Sequence, residues 1–464
     1  MAPPGDTREY VRFEIVDMNG KALSKTVPKR HMQSAVYMYS GAAAMGANSE
    51  VLTFPDEVAA AGCPNLRLLP DMATLQRLPW ADRPGAQVSR VYCEMAGFGG
   101  AAKNLALPRT VCLKALQELK EWRGEGLELL MGGELEFTVA QREGPAAPWR
   151  PLFDGVDIFA TLQNTKFMDF CYEVERHMEP VGVDICTINA EYGAGQIELV
   201  FAPKFGIAAA DMTATFRTGT KEIAQQYGHL ASFMARPFGV KGVGNGGHFN
   251  FSLWKPGSGQ AAGDDLISRI AQGKANVFHS ADADGLSADA RHFLAGILAH
   301  APAMEAICSP TPACYTRHGN WAPVVGDWGR DDRTACVRVK ADPKGSAGAC
   351  YMELRMPSAS ANPYLVAAAV AAAGLDGLQR ELELPGPKQT KEQGALELPK
   401  DLESALRALE RDDYMVGKLG KDFVRWYTGV KRGELQAIEG RLSKGSGTDE
   451  ELSAAWQHMY LEYV

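Results

Sequence analysis

Six residues spread over more than two hundred positions could do chemistry together: Glu134 and Glu136, Glu191 and Glu198, His248, and Glu353. Each lies in a short segment that reads as a strand or a strand end. Five carboxylates and one imidazole form an oxygen-rich ligand set, suited to two or three hard divalent cations such as Mg²⁺ or Mn²⁺. Bringing the carboxylates together is strongly unfavourable without cations. Two unit charges about 4 Å apart repel by ~4 kcal/mol at an effective dielectric of about 20. Divalent ions offset that repulsion and also clamp nucleotide phosphates, so the set points to metal-dependent phosphoryl transfer.

The segments that must position these groups alternate with period two. In Glu134-Leu135-Glu136-Phe137 the carboxylates share one face and the apolar residues the other. His248-Phe249-Asn250-Phe251-Ser252-Leu253, Tyr351-Met352-Glu353-Leu354-Arg355-Met356 and Gln196-Ile197-Glu198-Leu199 repeat the pattern, the last after a tight Gly193-Ala194-Gly195. Any one of them alone fits an amphipathic strand with a solvated face. That explanation weakens when the polar face repeatedly offers Glu, His, Asn and Arg. Arg317 follows Tyr315-Thr316 in a proline-rich loop, and Arg333 and Arg338 flank Thr334-Ala335-Cys336-Val337. Guanidinium groups match phosphate and carboxylate oxygens bidentately, although lone arginines are usually surface solvation. Gly242-Val243-Gly244-Asn245-Gly246-Gly247 lacks the strand-then-helix context of a dinucleotide loop, because a strand follows it. Close backbone approach to a ligand is its expected use.

The rest of the chain supplies a scaffold. At 464 residues and 46% hydrophobic content it can hold two or three domains around a large core. A net charge of −8 without a basic run argues against a nucleic-acid partner. No stretch reads as a membrane span, and the apolar segment Tyr364–Leu375 reads as a buried alanine-rich helix. Nine cysteines without a Cys-x-x-Cys pair indicate neither a disulfide framework nor a zinc site, which suits a reducing cytoplasmic compartment. The first hundred residues read as a small strand-rich domain. A helix follows Pro108 with Val111, Ala115, Leu116, Leu119 and Trp122 on one stripe, and another spans about Ala208–Tyr227. Loops are expected at Gln141–Pro151, Pro256–Asp265 and Pro385–Lys400, and helices from Leu402 onward.

In order and spacing, these motifs resemble class I glutamine synthetases, the ATP-dependent ligases that join ammonia to glutamate. Gly133-Glu134-Leu135-Glu136-Phe137 is similar to that family's first metal strand, and Glu191 with Gly195-Gln196-Ile197-Glu198 to its second pair. Gly244 through Leu253 is similar to its glycine-histidine strand. Glu353-Leu354-Arg355-Met356-Pro357 with Ala361-Asn362-Pro363-Tyr364-Leu365 resembles its final signature, and Phe423–Tyr427 with Lys431–Glu434 its tail. The resemblance implies an α+β fold with a β-grasp-like N-terminal domain over residues 1–104. A catalytic domain with a curved antiparallel sheet and flanking helices would occupy 105–464. It implies one metal on Glu136, Glu191 and Glu198 and a second on Glu134, His248 and Glu353. It also implies Arg317 on the substrate α-carboxylate, Arg333 and Arg355 on the transferring phosphoryl group, and Arg338 at the phosphates. Ser252 would lie beside the nucleotide with Asn250. The implied partners are ATP, Mg²⁺ or Mn²⁺, glutamate and an amine, in a dodecamer of two hexameric rings.

Three departures bear on chemistry. Where the family has a flap glutamate before an Ala-Pro pair, this chain has Trp321 in His318-Gly319-Asn320-Trp321-Ala322-Pro323. Indole cannot attract ammonium by charge or accept a proton through a lone pair. Tyr351 stands where the family has an arginine, and Gly46-Ala47-Asn48-Ser49-Glu50 has no aspartate where the family has a latch. Segments Arg217–Glu222 and Ala371–Leu378 resemble the lengsin branch of the family, which implies a structural or partner-binding role. Two readings follow: a carboxylate–amine ligase that uses ammonia or another amine, or a catalytically silent scaffold that retains metal.

Overall fold

Asp17 organises the first turn of the chain. Its Oδ1 accepts from the backbone N–H groups of Asn19 and Lys21, each at 2.9 Å, and Gly20 supplies the left-handed residue at φ +77°. The hairpin of Arg8–Val16 and Ala22–Pro28 results, and Arg8–Val16 pairs in parallel on its other side with Ala86–Met95. Asn65–Pro70 and then Tyr37–Tyr39 extend that sheet antiparallel, and Gln76–Arg77 also joins Ala86–Met95. A parallel central pair flanked by antiparallel strands is a β-grasp-like arrangement. A computed structural model of the chain describes residues 7–51, 53–155, 157–257, 266–281, 284–341, 346–443 and 447–464.

The larger sheet runs in the order Trp328–Arg330, Val337–Lys340, Tyr351–Leu354, Gly247–Pro256, Glu128–Gln141, Gln196–Phe201 and Ile185–Ala190. Every pair on this path is antiparallel except the first. One face packs Leu135, Phe137, Val139, Ile197 and Leu199 against Phe216 and Ile223 of the helix Ile207–Gln226. Behind the sheet lie two long helices, Ala288–Cys308 and Pro363–Arg380. Small residues let them touch: a Cβ added at Gly374 would overlap the Phe293 ring, and one added at Gly296 would lie 2.7 Å from the Gly377 nitrogen. The alanine-rich segment expected to be a buried helix is the core of the second.

The expected helices after Pro108 and around Ala208–Tyr227 occur as Pro108–Glu121 and Ile207–Gln226, and among the described residues four helices lie from Leu402 onward. Three expectations are corrected in detail. The loop expected at Gln141–Pro151 ends in a short strand, Arg150–Pro151, which pairs antiparallel with the end of Glu128–Gln141. The strand expected over Tyr351–Met356 stops at Leu354, and Arg355 turns its N–H to Cys336 as the chain approaches Pro357, which cannot donate. The loop Pro385–Lys400 carries a short strand, Leu396–Glu397, paired with Val325–Gly326. Of the loop expected at Pro256–Asp265, residues 258–265 lie outside the described residues. Among the described residues, no helix is long and apolar enough to cross a membrane.

Candidate active site

Strand pairing converts the period-two pattern into a single polar face. His248 lies opposite Glu134, Glu198 opposite Glu136, and Asn250 opposite Glu353. Arg338 lies on the far side of Glu353 in the same register. Directly opposed residues point to the same side of a sheet, so these side chains share one face. His248 Nδ1 is 3.1 Å from Glu134 Oε1 and 3.5 Å from Glu353 Oε1. Glu134, His248 and Glu353 each offer one ligand atom within 4.8 Å of the others, a cluster that can hold a metal ion. Two histidine–carboxylate contacts, with Glu353 buried and Glu134 partly so, suit a hard divalent cation.

The carboxylates feel one another through a poorly solvated space. Burial and then the neighbouring Glu134, Glu136 and Glu191 push Glu198 up to about 9. Glu191 rises to about 7, by burial first and Glu136 second. At Glu134 burial is the largest single influence, but the hydrogen bond and charge of His248, a hydrogen bond with Glu198 and the charge of Arg355 together outweigh it, and the group falls to about 2. Glu191 follows the end of Ile185–Ala190, where its backbone N–H reaches the Gln196 carbonyl at 3.0 Å. Carboxyl groups therefore crowd where full ionisation is disfavoured until a cation offsets their mutual repulsion.

Cationic groups ring this surplus. Arg338 Nη1 donates to Glu353 Oε2 at 2.9 Å, and Arg355 donates to Glu353 Oε1. Arg317 is 5% exposed, and burial holds its guanidinium below the usual arginine range. The glycine run explains how it reaches the cluster. A Cβ on Gly244 would stand 2.8 Å from Arg317 Cγ. One on Gly246 would stand 3.0 Å from Arg317 Nη2, 3.1 Å from Glu136 Oε1 and 3.3 Å from His248 Nε2. Only hydrogen at these positions admits such an approach. Arg333 is placed differently: it is exposed, with no side-chain partner among the described residues. Asn250, Ser252 and Tyr351 line a cavity of about 270 Å³ along the sheet with Gly348, Ile267 and Cys186. Ser252 is buried there, its Oγ accepting from Trp254 Nε1 at 2.8 Å.

The loop after Arg317 closes on itself. Asn320 N–H returns to the Arg317 carbonyl at 2.9 Å, Gly319 N–H to Ala322 at 2.9 Å, and Asn320 Nδ2 to Gly242 of the glycine run at 3.0 Å. Trp321 stands at its tip, 60% exposed and left-handed at φ +63°. At its base His318 Nε2 pairs at 2.9 Å with Glu305, a carboxylate with no exposure. The sequence signals for Glu305 and Gln196 were weak. Glu305 sits in an apolar helix, and Gln196 is noticeable only because it shares the face of Glu198.

Comparisons with known proteins place the chain in a family. Residues 106–446 match the glutamine synthetase catalytic domain. The chain belongs to the glutamine synthetase family. Within that family it is similar to a lengsin of Canis lupus familiaris, 31% identical over 93% of this chain and 72% of that protein. It is also similar to a glutamate–methylamine ligase of Methyloversatilis universalis, 30% identical over 89% of each chain. The solved structure of a GmaS/ADP complex superposes with a TM-score of 0.77 at 26% identity, covering 95% of this chain and 96% of that one. The fold expected from the motif resemblance, and this chain's nearness to lengsin within the family, are thus shown.

Proposed function

We propose that this protein is an ATP-dependent ligase that joins the γ-carboxylate of glutamate to an amine through an acyl phosphate. The observation that carries this reading is the one face of the larger sheet on which Glu134, Glu136, Glu198, His248 and Glu353 converge beside Arg338 and the buried Arg317. Under this reading Glu136, Glu191 and Glu198 hold one Mg²⁺ or Mn²⁺, and Glu134, His248 and Glu353 hold a second. Such ions, when bound, neutralise the carboxylates and the phosphates they meet. The donor set fits them: oxygen-rich, partly buried, and holding carboxyl groups whose ionisation burial and mutual repulsion oppose until a cation offsets it.

Asn250 and Ser252 then lie along the nucleotide in the cavity they line, and Arg317 binds the α-carboxylate of glutamate. Arg338 and Arg355, already held at Glu353, orient the transferring phosphoryl group, with Arg333 reaching it from the exposed turn. The γ-carboxylate attacks the terminal phosphorus of ATP, forming a carboxyl–phosphate bond as the bond to ADP breaks. The amine nitrogen then attacks the acyl carbon and displaces phosphate, giving up protons as the amide forms. The protein contributes positioning and charge neutralisation. Assembly as a dodecamer of two hexameric rings and residence in the cytoplasm belong to the same reading.

Trp321 refines the amine. An exposed indole at the tip of the loop next to Arg317 offers an apolar lid without a charge to draw ammonium, which favours an amine with an apolar body. Phosphate release from ATP with Mg²⁺ or Mn²⁺, measured with and without glutamate and a series of amines, tests the reading. Glutamate-dependent release that Glu134→Ala abolishes is the expected result. Its absence, with metal still raising the melting temperature, would make this a binding scaffold. Trp321→Glu should raise turnover with ammonia relative to larger amines, and an unchanged ratio would detach Trp321 from amine choice.

A further inference from the structure

Gln196 is 1% exposed, begins the strand Gln196–Phe201, and makes three polar contacts that leave its amide no freedom. Its Oε1 accepts from the Gly193 N–H at 2.7 Å. A backbone N–H can only donate, so the other end of the amide must be the nitrogen. That Nε2 donates to Glu136 Oε2 at 2.6 Å and lies 3.4 Å from the Gly244 carbonyl. The Gly246 N–H donates to the same Glu136 Oε2 at 2.8 Å. Two neutral donors therefore occupy one oxygen of Glu136. The other, Oε1, is left beside Arg317 Nη2 and His248 Nε2, all three lying close to the point where a Gly246 Cβ would stand.

From this network we infer that Gln196 is a positioning residue that commits Glu136 to offer a single oxygen to a cation. The inference rests on the ligase reading of the site. The same side chain fixes the turn between Glu191 and Glu198, because a Cβ on Gly193 would stand 2.5 Å from Gln196 Oε1. One amide thus sets the relative placement of three carboxylates. The consequence is cation selectivity. Mg²⁺ and Mn²⁺ need compact, near-octahedral ligation, which a one-oxygen carboxylate suits, whereas Ca²⁺ accepts longer and two-oxygen carboxylate contacts. Freeing Glu136 Oε2 should relax that preference.

The test is Mn²⁺ binding followed by the electron paramagnetic resonance of the free ion, with Ca²⁺ as competitor, in wild type, Gln196→Met and Gly193→Ala. Gln196→Met keeps length and burial but donates nothing. Gly193→Ala displaces the amide from the other side and stands as the independent variant should Gln196→Met fail to fold. Loss of an orienting partner of this kind typically weakens metal binding about 10- to 100-fold. Both variants should show that loss for Mn²⁺, with Ca²⁺ affinity falling less, so that Ca²⁺ competes better. Unchanged Mn²⁺ binding, or equal losses for the two ions, would overturn the inference. A wild type that binds Mn²⁺ yet shows no glutamate-dependent phosphate release would remove the ligase reading and leave the selectivity result standing. Turnover with an unchanged Mn²⁺/Ca²⁺ ratio in the variants would do the reverse.

Discussion

Where the helix Ile207–Gln226 meets the N-terminal sheet, Arg109 grips Asp211 with two hydrogen bonds of 2.9 and 3.0 Å. Tyr364 donates to the same Asp211 carboxylate at 2.6 Å, and Asp71 takes a further bond from Arg109 at 2.8 Å. In the helix Lys421–Glu439, Lys431 and Glu434, both without exposure, pair at 3.1 Å, while Glu434 also accepts from Tyr460 and from the Ala47 N–H. Every charge in these clusters meets an opposite charge or a donor. On the polar face of the larger sheet the arithmetic differs. Glu191 and Glu198 are pushed up by burial and by their carboxylate neighbours, and no cationic side chain pairs with either among the described residues. The first kind of cluster joins the elements of the fold, and the second stores a demand for cations. A charge that is buried and matched reads as architecture, whereas one that is buried and surplus reads as a ligand site.

Removing one carboxylate from each kind should give opposite outcomes. Glu198→Gln deletes a charge that its neighbours already disfavour. It should lower glutamate-dependent phosphate release by several kcal/mol of lost charge stabilisation, about 10²–10⁴-fold in rate. The metal-free protein should melt no earlier than wild type. An earlier melting transition without metal would show that Glu198 also carries structure. Asp211→Ala should do the converse, stranding Arg109 without its bidentate partner and costing about 3–5 kcal/mol of stability. Chemical denaturation reads that cost directly, and a loss below about 1 kcal/mol would mean that Asp71 alone satisfies the guanidinium.

The contrast also marks how far sequence reasoning reached. Glu134, Glu136, Glu198, His248 and Glu353 were legible because a strand's period of two keeps like residues on one face whatever the strand's partner. The opposition of Glu134 and His248 was not, since it depends on register between segments more than a hundred residues apart. Arg333 and Arg338 look alike in sequence, yet Arg338 faces Glu353 and Arg333 is exposed, because only Arg338 lies within the strand Val337–Lys340. The left-handed backbone of Trp321 had no local signal either, bulky residues being rare there. Gln196 was quoted as part of a motif, but its role appears only once Gly193, Gly246 and Glu136 converge on it. Period and composition travel through local sequence, and contacts between distant segments do not.

A third cluster combines features of both and yields the smallest effect. His300 sits between two carboxylates, with Nδ1 2.6 Å from Asp412 Oδ2 and Nε2 3.0 Å from Asp376 Oδ2. Its ring stacks on Tyr414 at 5.4 Å, and Arg380 shares Asp376 at 3.0 Å. Burial alone would lower the imidazole, but Asp412 and then Asp376 outweigh it, so His300 stays protonated above its ordinary range. A folded-state value above the unfolded one gives stability that is complete below about 6.5 and is lost as pH rises through the folded value. His300→Gln should therefore cost about 1.5–3 kcal/mol in mildly acidic solution, the usual worth of hydrogen bonds to a charged group. The gap to wild type should narrow as the solution is made alkaline. A gap that stays constant with pH would mean the imidazole is held by shape against Tyr414 rather than by charge, and would move this cluster to the side of packing.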